Sequence, residues 1–504
     1  MPHEYLRRTL KANVYDVAVE TPLALAPNLS RRVGAEVLLK REDLQPVFSF
    51  KIRGAYNRIS RLNAEERARG VIAASAGNHA QGVALSAARS DMRAVIVMPK
   101  TTPAIKVSAV RQFGAEVILH GSSFDEARSH MDGLAASTGC VFISPFDDPD
   151  VIAGQGTVAM EVLRQRSERL DAIFVPVGGG GLIAGIAAYT KSLWPEVKII
   201  GVEPEETPTL HAALAADERV VLDQVGIFAD GVAVRQVGVE PFRIARETVD
   251  EVILVSTDEI CAAIKDMYED TRAIAEPSGA LSIAGIKRYA MTHDVTDQSF
   301  VAIISGANVN FDRLRHIAER ADIGEQREGL LGVTIPERKG SFQAFCHAIG
   351  DRQVTEFNYR YGDDNNAHVF VGLELRDGVA DKDALISRLE ALDYDVVDMT
   401  DNELAKLHVR HMVGGHATQA TDECIYRFEF PERPGALLRF LTRMGARWNI
   451  SLFHYRNHGS AYGRVLVGMQ VAPAQRCELQ IFLDDLTYPY TAETDNAAYQ
   501  MFLN

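Results

Sequence analysis

Four consecutive glycines, Gly178 to Gly181, stand between the apolar run Ile173-Phe174-Val175-Pro176-Val177 and the apolar stretch from Leu182 to Tyr189. A turn that needs positive φ accounts for one or two glycines in such a place, but not for four. A strand, a loop without side chains and a helix together put bare amides at a helix N-terminus, where the helix dipole favours a phosphate. The run is not the dinucleotide fingerprint, although Glu203, about twenty positions on, keeps a nicotinamide reading open.

The same rhythm runs through the first three hundred residues. Val71 to Ala74 precedes a helix expected from Ala80, Ala94 to Met98 one from Pro103, and Glu116 to Leu119 continues the series. Val37 to Asp43 reads as a strand running out of the core. Continuous apolar runs alternating with helical patterns predict parallel sheets covered on both faces, an α/β architecture. Ligands of such sheets sit beyond the carboxyl ends of the strands. Ser75-Ala76-Gly77-Asn78-His79 and Ser305-Gly306-Ala307-Asn308 each follow an apolar run, so with the glycines they are expected to line one crevice.

Lys51, within Ser49-Phe50-Lys51-Ile52-Arg53-Gly54-Ala55, falls at the start of a predicted amphipathic helix. A lysine there is ordinarily a solvated surface residue. Beside a phosphate cradle it is read instead as the covalent anchor of a carbonyl cofactor. Such a lysine must be neutral to attack, and its ordinary pKa of ~10.4 has to be lowered by burial or a neighbouring charge. Pyridoxal 5'-phosphate needs both features, a lysine for its aldehyde and a cradle for its phosphate. A serine hydroxyl such as Ser305 beside the ring nitrogen would leave the ring neutral, a mild electron sink suited to eliminating a β-substituent.

Length and composition bound the remaining possibilities. The 504 residues exceed one ordinary domain. A formal charge of −15 supplies no basic excess for a phosphate backbone, which excludes nucleic acid as an expected partner. Five scattered cysteines, none in a CxxC pair, indicate neither a disulfide framework nor a zinc site. The N-terminus lacks an apolar signal region and no stretch approaches the ~20 apolar residues of a membrane helix, so no membrane partner and a cytoplasmic location are expected.

After a polar stretch at 321–330, read as a linker, the chain repeats itself. Pro336-Glu337-Arg338-Lys339-Gly340 recurs as Pro431-Glu432-Arg433-Pro434-Gly435, and Tyr359-Arg360 and Val371-Gly372 recur as Tyr455-Arg456 and Val467-Gly468. Order-preserving similarity of this kind marks a duplicated module. Each copy is predicted as a βαββ unit, with Asp401 to His411 as a connecting helix and Gly414-Gly415 as a second linker.

The Lys51, Ser75–Gly82 and tetraglycine stretches, with Ala275-Glu276-Pro277-Ser278-Gly279-Ala280 and Ser305-Gly306-Ala307-Asn308, resemble the biosynthetic threonine ammonia-lyases of the tryptophan-synthase-β-like class. The resemblance covers the whole chain and implies a fold-type II catalytic domain at 1–320, then ACT-like modules at 331–415 and 420–504. It implies that Lys51 binds pyridoxal phosphate and removes the α-proton, with Phe50 packed on the ring and Asn78 at its phenolic oxygen. Gly178, Gly179, Gly180, Gly181 and Leu182 would hold the phosphate, and Ser305 would face the ring nitrogen. Ser75, Ala76, Gly77, Asn78 and His79 would grip the substrate carboxylate. The implied reaction takes L-threonine to 2-oxobutanoate and ammonia, inhibited by isoleucine and relieved by valine in a homotetramer. Effector pockets are expected at the helix-start turns Gly340, Gly435, Leu437 and Leu438.

Serine racemases of the same class carry a second serine where this chain has Ala76, and an alanine cannot deliver a proton, so elimination is expected over racemisation. Dehydration of L-serine by an enzyme of this class stays open, as does an amino-acid-sensing protein without catalytic activity. Residues 202–209 lack the racemases' full acidic set, so no divalent metal is expected. His79 is read as an acid or base or as a structural hydrogen-bond former, Glu276 as a site carboxylate or a helix N-terminal charge, and Arg53 as an ion-pair former.

Overall fold

The apolar runs of the first part become strands of two separate parallel sheets. The computed structural model describes residues 2–503 except 227, 312, 362–364, 413–416, 418–419, 432–435, 457–461, 487, 497–498 and 500–502. Two units are formed, Met1–Ala321 and Asp322–Asn504.

In the first unit the strands are Leu23–Leu25 (β1), Glu36–Arg41 (β2), Val71–Ala74 (β3), Ala94–Met98 (β4), Glu116–Leu119 (β5), Val141–Phe142 (β6), Ala172–Pro176 (β7), Lys198–Pro204 (β8), Glu251–Val255 (β9) and Ser299–Ile304 (β10). They form a larger sheet ordered β1-β2-β10-β7-β8-β9 and a smaller one ordered β5-β4-β3-β6. The pairings are parallel except that of β1 with β2. Residues of β7 and β10 alternate between two hydrophobic clusters: Phe174, Phe300 and Ala302 enter one, and Ile173, Val175, Val301 and Ile303 the other. That is the two-sided burial an apolar run without alternation demands.

Val37 to Asp43 does not run out of the core. β2 is the second strand of the larger sheet, and Lys40, at its end, is fully buried. The charge is tolerated because Lys40 Nζ pairs with Glu161 (2.6 Å), which also pairs with Arg53 (2.6 Å), and Arg53 in turn pairs with Glu42 (2.7 Å). Two cations and two carboxylates cancel, and Thr21 Oγ1 donates a further bond to Glu42.

Among the described residues the second unit carries eight strands, Glu328–Pro336 (β11), Val354–Arg360 (β12), Asn366–Glu374 (β13), Asp395–Asp398 (β14), Glu423–Pro431 (β15), Asn449–Arg456 (β16), Tyr462–Gln470 (β17) and Tyr490–Ala492 (β18). Their order in one sheet is β14-β11-β13-β12-β16-β17-β15-β18, so the second module repeats the first in reverse across the antiparallel β12–β16 seam. The duplication extends to side chains: Thr355 donates to Glu328, and Ser451 donates to Glu423.

Each module is larger than the βαββ unit read from the sequence. Helices Gly378–Glu390 and Arg476–Leu486 and the edge strands β14 and β18 complete a βαββαβ arrangement. β14, Asp-Val-Val-Asp, is mostly exposed, and an edge strand of that composition has no apolar run to announce it. The 321–330 stretch is not a free linker either. Arg313–Gly324 is a helix and β11 begins at Glu328, because Ile317, Ala321 and Ile323 bury their side chains within the polar surroundings. The connection between modules holds a short helix, Glu403–Leu407, and a 3-10 turn, Val409–His411, in place of one helix. Gly414 and Gly415 lie outside the described residues.

Candidate active site

The first unit gathers its small polar loops at the ends of β3, β7 and β10. Lys51 is the first residue of the helix Lys51–Ser60, and the Phe50 N–H preceding it donates to the Ser305 carbonyl (3.2 Å). Ser49 bridges Gly306 in the same way, which ties the lysine's helix start to the loop after β10. Asn78 begins the helix Asn78–Arg89 after β3. Its Oδ1 accepts from Asn308 Nδ2 (2.6 Å), and its Nδ2 donates to Glu276 Oε1 (2.5 Å).

The glycine loop joins this group through a segment the sequence did not single out. Lys51 Nζ donates to the Pro145 carbonyl (2.8 Å), and the next residue, Phe146, lies against the glycines. A methyl group on Gly179 would stand 2.1 Å from the Phe146 ring. Gly180 has φ +86° and precedes the helix Gly181–Leu193 with no side-chain cap. The first amides of a thirteen-residue helix are thus left bare, as an anion requires. Leu182 contributes its backbone there, since its side chain is in the hydrophobic core.

Ser305 is buried, and its hydroxyl donates to the Ser278 carbonyl (3.3 Å). Ser75, Ala76 and Gly77 are partly exposed, with Ser75 Oγ accepting from the Gly77 N–H (3.3 Å). In the second unit, Gly340 has φ +90° and caps the helix Ser341–Ile349. Leu437 and Leu438 pack half-buried on the shared core of the two modules. Gly435 lies outside the described residues.

Electrostatics separate the roles left open by the sequence. Burial lowers Lys51 to about 8, with the Glu276 carboxylate working the other way. Glu276 is raised to about 7 by burial and then by Asp230, against the hydrogen bond from Asn78, the charge of Lys106 and the Asn308 N–H. Its carboxylate therefore belongs to the crevice: the side chain turns to Asn78 and makes no capping bond to the helix it precedes. His79 is lowered to about 3 by burial and by Lys51, while its contact with Ile143 O opposes this. A carbonyl only accepts, so His79 Nε2 must carry the hydrogen of that 2.8 Å bond. This is a neutral, engaged imidazole in a structural setting.

The residues present fit a cofactor with an aldehyde and a phosphate. Lys51 is half-buried, its ammonium has one hydrogen-bond acceptor among the described residues, and its proton is weakly held. The glycine loop, the candidate phosphate cradle, has neighbours that leave no space for Cβ atoms at Gly178, Gly179 and Gly181. Sequence reasoning missed Pro145 and Phe146, which follow the two-residue β6 and have no periodicity to mark them. It also missed the Lys106–Asp230 pair (2.7 Å). Asn308 was present in a noted loop without a role.

Residues 14–306 match the family of pyridoxal-phosphate dependent enzymes, and residues 319–409 and 414–503 each match the C-terminal regulatory domain of threonine dehydratase. The chain is 54% identical to the biosynthetic L-threonine dehydratase IlvA of Burkholderia multivorans, covering 100% of this chain and 99% of that one. It is 52% identical to the chloroplastic biosynthetic threonine dehydratase 1 of Solanum lycopersicum, covering 100% and 83%. Among solved structures, the processed form of threonine deaminase isoform 2 from Solanum lycopersicum has a TM-score of 0.63 and 50% identity over 64% of this chain and 88% of that one. Serine racemase from Dictyostelium discoideum has a TM-score of 0.57 and 34% identity over 61% and 98%. The chain belongs to the pyridoxal-phosphate dependent enzymes, within the family of biosynthetic threonine dehydratases.

Proposed function

We propose that this enzyme converts L-threonine to 2-oxobutanoate and ammonia, with Lys51 as anchor and α-proton base. The observation that carries the reading is the placement of Lys51 Nζ on Pro145 O, one residue before the Phe146 that packs on the glycine loop. Pyridoxal phosphate, when bound, supplies the electron sink for the α-carbanion and the aldehyde that captures the amine. The chain's own groups do the rest. A lysine whose proton is held only to about pH 8 can take up the α-proton and return it near neutrality. Ser75, Ala76, Gly77 and the start of the Asn78–Arg89 helix offer amides and a hydroxyl to the substrate carboxylate. Asn78 can aim its second amide hydrogen at the phenolic oxygen while its first is held by Glu276. Phe50 packs beside Lys51, with the ammonium 5.2 Å from its ring centre. Gly178, Gly179, Gly180, Gly181 and Leu182 would hold the phosphate, and the Ser305 hydroxyl, turned from the Ser278 carbonyl, would donate to the ring nitrogen. Ala76 puts a methyl group where a racemase would need an acid, which favours elimination.

Catalytic residues 1–320 and ACT-like modules at 331–415 and 420–504 complete the proposed organisation, in a cytoplasmic homotetramer. Among the described residues no helix is long and apolar enough to cross a membrane. Isoleucine as inhibitor and valine as its antagonist would bind at the turns around Gly340 and Leu437-Leu438, where they can act only by favouring one arrangement of the modules. The test is steady-state formation of 2-oxo acid from L-threonine and L-serine, with and without isoleucine, by wild type and a form truncated after residue 330. Threonine turnover, inhibited in the full chain and uninhibited in the truncated one, is expected. A preference for serine, or inhibition that survives truncation, would overturn the assignment.

A further inference from the structure

A loop of four glycines has no side chains with which to hold its own shape, and its ordering has to come from outside. Two of its carbonyls are tied. The Gly238 N–H donates to Gly179 O (3.1 Å), and the Thr209 hydroxyl lies 3.2 Å from Gly178 O. In a trans peptide the carbonyl and the following N–H point opposite ways. Fixing Gly178 O therefore aims the Gly179 N–H, and fixing Gly179 O aims that of Gly180.

Thr209 is fully buried and is itself held. Its one hydroxyl hydrogen is shared between Gly178 O and Glu203 Oε1 (2.9 Å), and the Leu210 and His211 N–H groups donate to the same carboxylate (2.8 and 2.9 Å). Glu203, at the end of β8 and also fully buried, thus satisfies the first amides of the helix Thr209–Ala216 and fixes the point from which Thr209 reaches the glycine loop. The acidic residue that kept a nicotinamide reading open in the sequence is spent on this contact, with both oxygens engaged inside the protein.

We propose that Thr209 and Glu203 are positioning residues of the phosphate cradle: the Thr209 hydroxyl restrains the Gly178 carbonyl so that the Gly179 amide faces the phosphate, and Glu203 anchors Thr209. This rests on the cofactor reading above.

The experiment follows loss of the visible absorbance of the loaded enzyme in excess scavenger of free pyridoxal phosphate, for wild type, Thr209→Val and Thr209→Ser. Melting temperatures of the loaded and cofactor-free forms are measured alongside. Removing one such hydrogen bond corresponds to about tenfold faster release from Thr209→Val. The melting temperature of the cofactor-free form and the KM for threonine stay near wild type, and Thr209→Ser restores slow release. Wild-type release from Thr209→Val, or equal loss of melting temperature in both forms with unchanged release, would overturn the proposal. If the valine variant does not fold, Thr209→Cys, of similar size and with a weak donor, gives the same comparison. A wild type with no visible band would sink the cofactor reading instead, and so the two failures are distinguishable.

Discussion

Two lysines, eleven residues apart, are both taken out of water, and the protein treats them oppositely. Burial lowers Lys40 as it does Lys51, but Lys40 is sealed in the core with Glu161 opposing the shift, and it gives its ammonium hydrogens to Thr21 O, Glu161 and Gln165. Lys51 is reachable from the crevice and donates to Pro145 O. Their carboxylate neighbours differ in the same sense. Burial would raise Glu161, but Arg53 and Lys40 hold it below its ordinary range. Glu276 has no such pair of cations in contact among the described residues and is pushed up to about 7. Saturated pairing makes a charge structural, whereas incomplete pairing leaves a proton free to move near neutrality.

The largest effect expected from this contrast is in rate. Lys51→Ala should lower turnover of threonine on the order of 10⁴-fold, since it removes both the anchor and the base. The denaturation midpoint should hold, because few contacts depend on the ammonium. Assay of 2-oxo acid together with urea unfolding checks both halves. A variant that keeps activity, or one that loses most of its stability, breaks the comparison.

The reverse pattern is expected at Arg53. Arg53→Met leaves Glu42 without its partner and Glu161 with Lys40 alone, one cation against two buried carboxylates, a loss of about 3–5 kcal/mol in stability. The molecules that still fold should bind cofactor, because Arg53 does not face the crevice loops. Chemical denaturation, with absorbance of the folded fraction, separates the two effects.

How far these assignments were legible in the sequence depends on chain separation. The Lys51 stretch, the glycine loop and the Ser75 and Ser305 loops are contiguous, and their position after apolar runs follows from parallel-sheet geometry. The alternation of Ile173 to Val177 into two clusters was legible for the same reason. Glu276 was ambiguous because its partner Asn78 is 198 residues away. Lys40 looked like the end of a strand leaving the core because its partner Glu161 lies 121 residues on. β14 went unread because exposed edge strands carry no apolar pattern, and the helix through residue 321 was hidden because three buried side chains are scattered among charges.

A smaller effect is expected at Glu276, and its sign depends on pH. A carboxyl raised in the folded state to about 7 binds its proton more tightly there than in the unfolded chain. Its contribution to stability is complete below the ordinary carboxylate pKa and is lost as pH rises through about 7. Glu276→Gln, neutral throughout, should therefore gain roughly 3 kcal/mol over wild type at pH 8 and almost nothing at pH 4.5. Urea unfolding of the cofactor-free forms at the two pH values measures it. An equal effect at both would mean that Glu276 is no more titratable in the fold than Glu161.

The smallest net effect is expected from removing half of the Lys40 cluster at once. Lys40→Met alone leaves Arg53 facing Glu42 and Glu161, one cation against two buried carboxylates. Glu161→Gln alone leaves the opposite excess, with Lys40 and Arg53 sharing Glu42. Each single change should cost several kcal/mol by the same reasoning as for Arg53. The double variant keeps Arg53 with Glu42 as a neutral pair, and the glutamine can still accept from Arg53. Its net loss should be about 1 kcal/mol, so the two changes couple favourably by more than either residual loss. A double-mutant cycle by denaturation measures that coupling. Additive losses would mean that Lys40 is kept for its contacts with Thr21 and Gln165 and not for charge balance, and the contrast with Lys51 would then lie in access to the crevice alone.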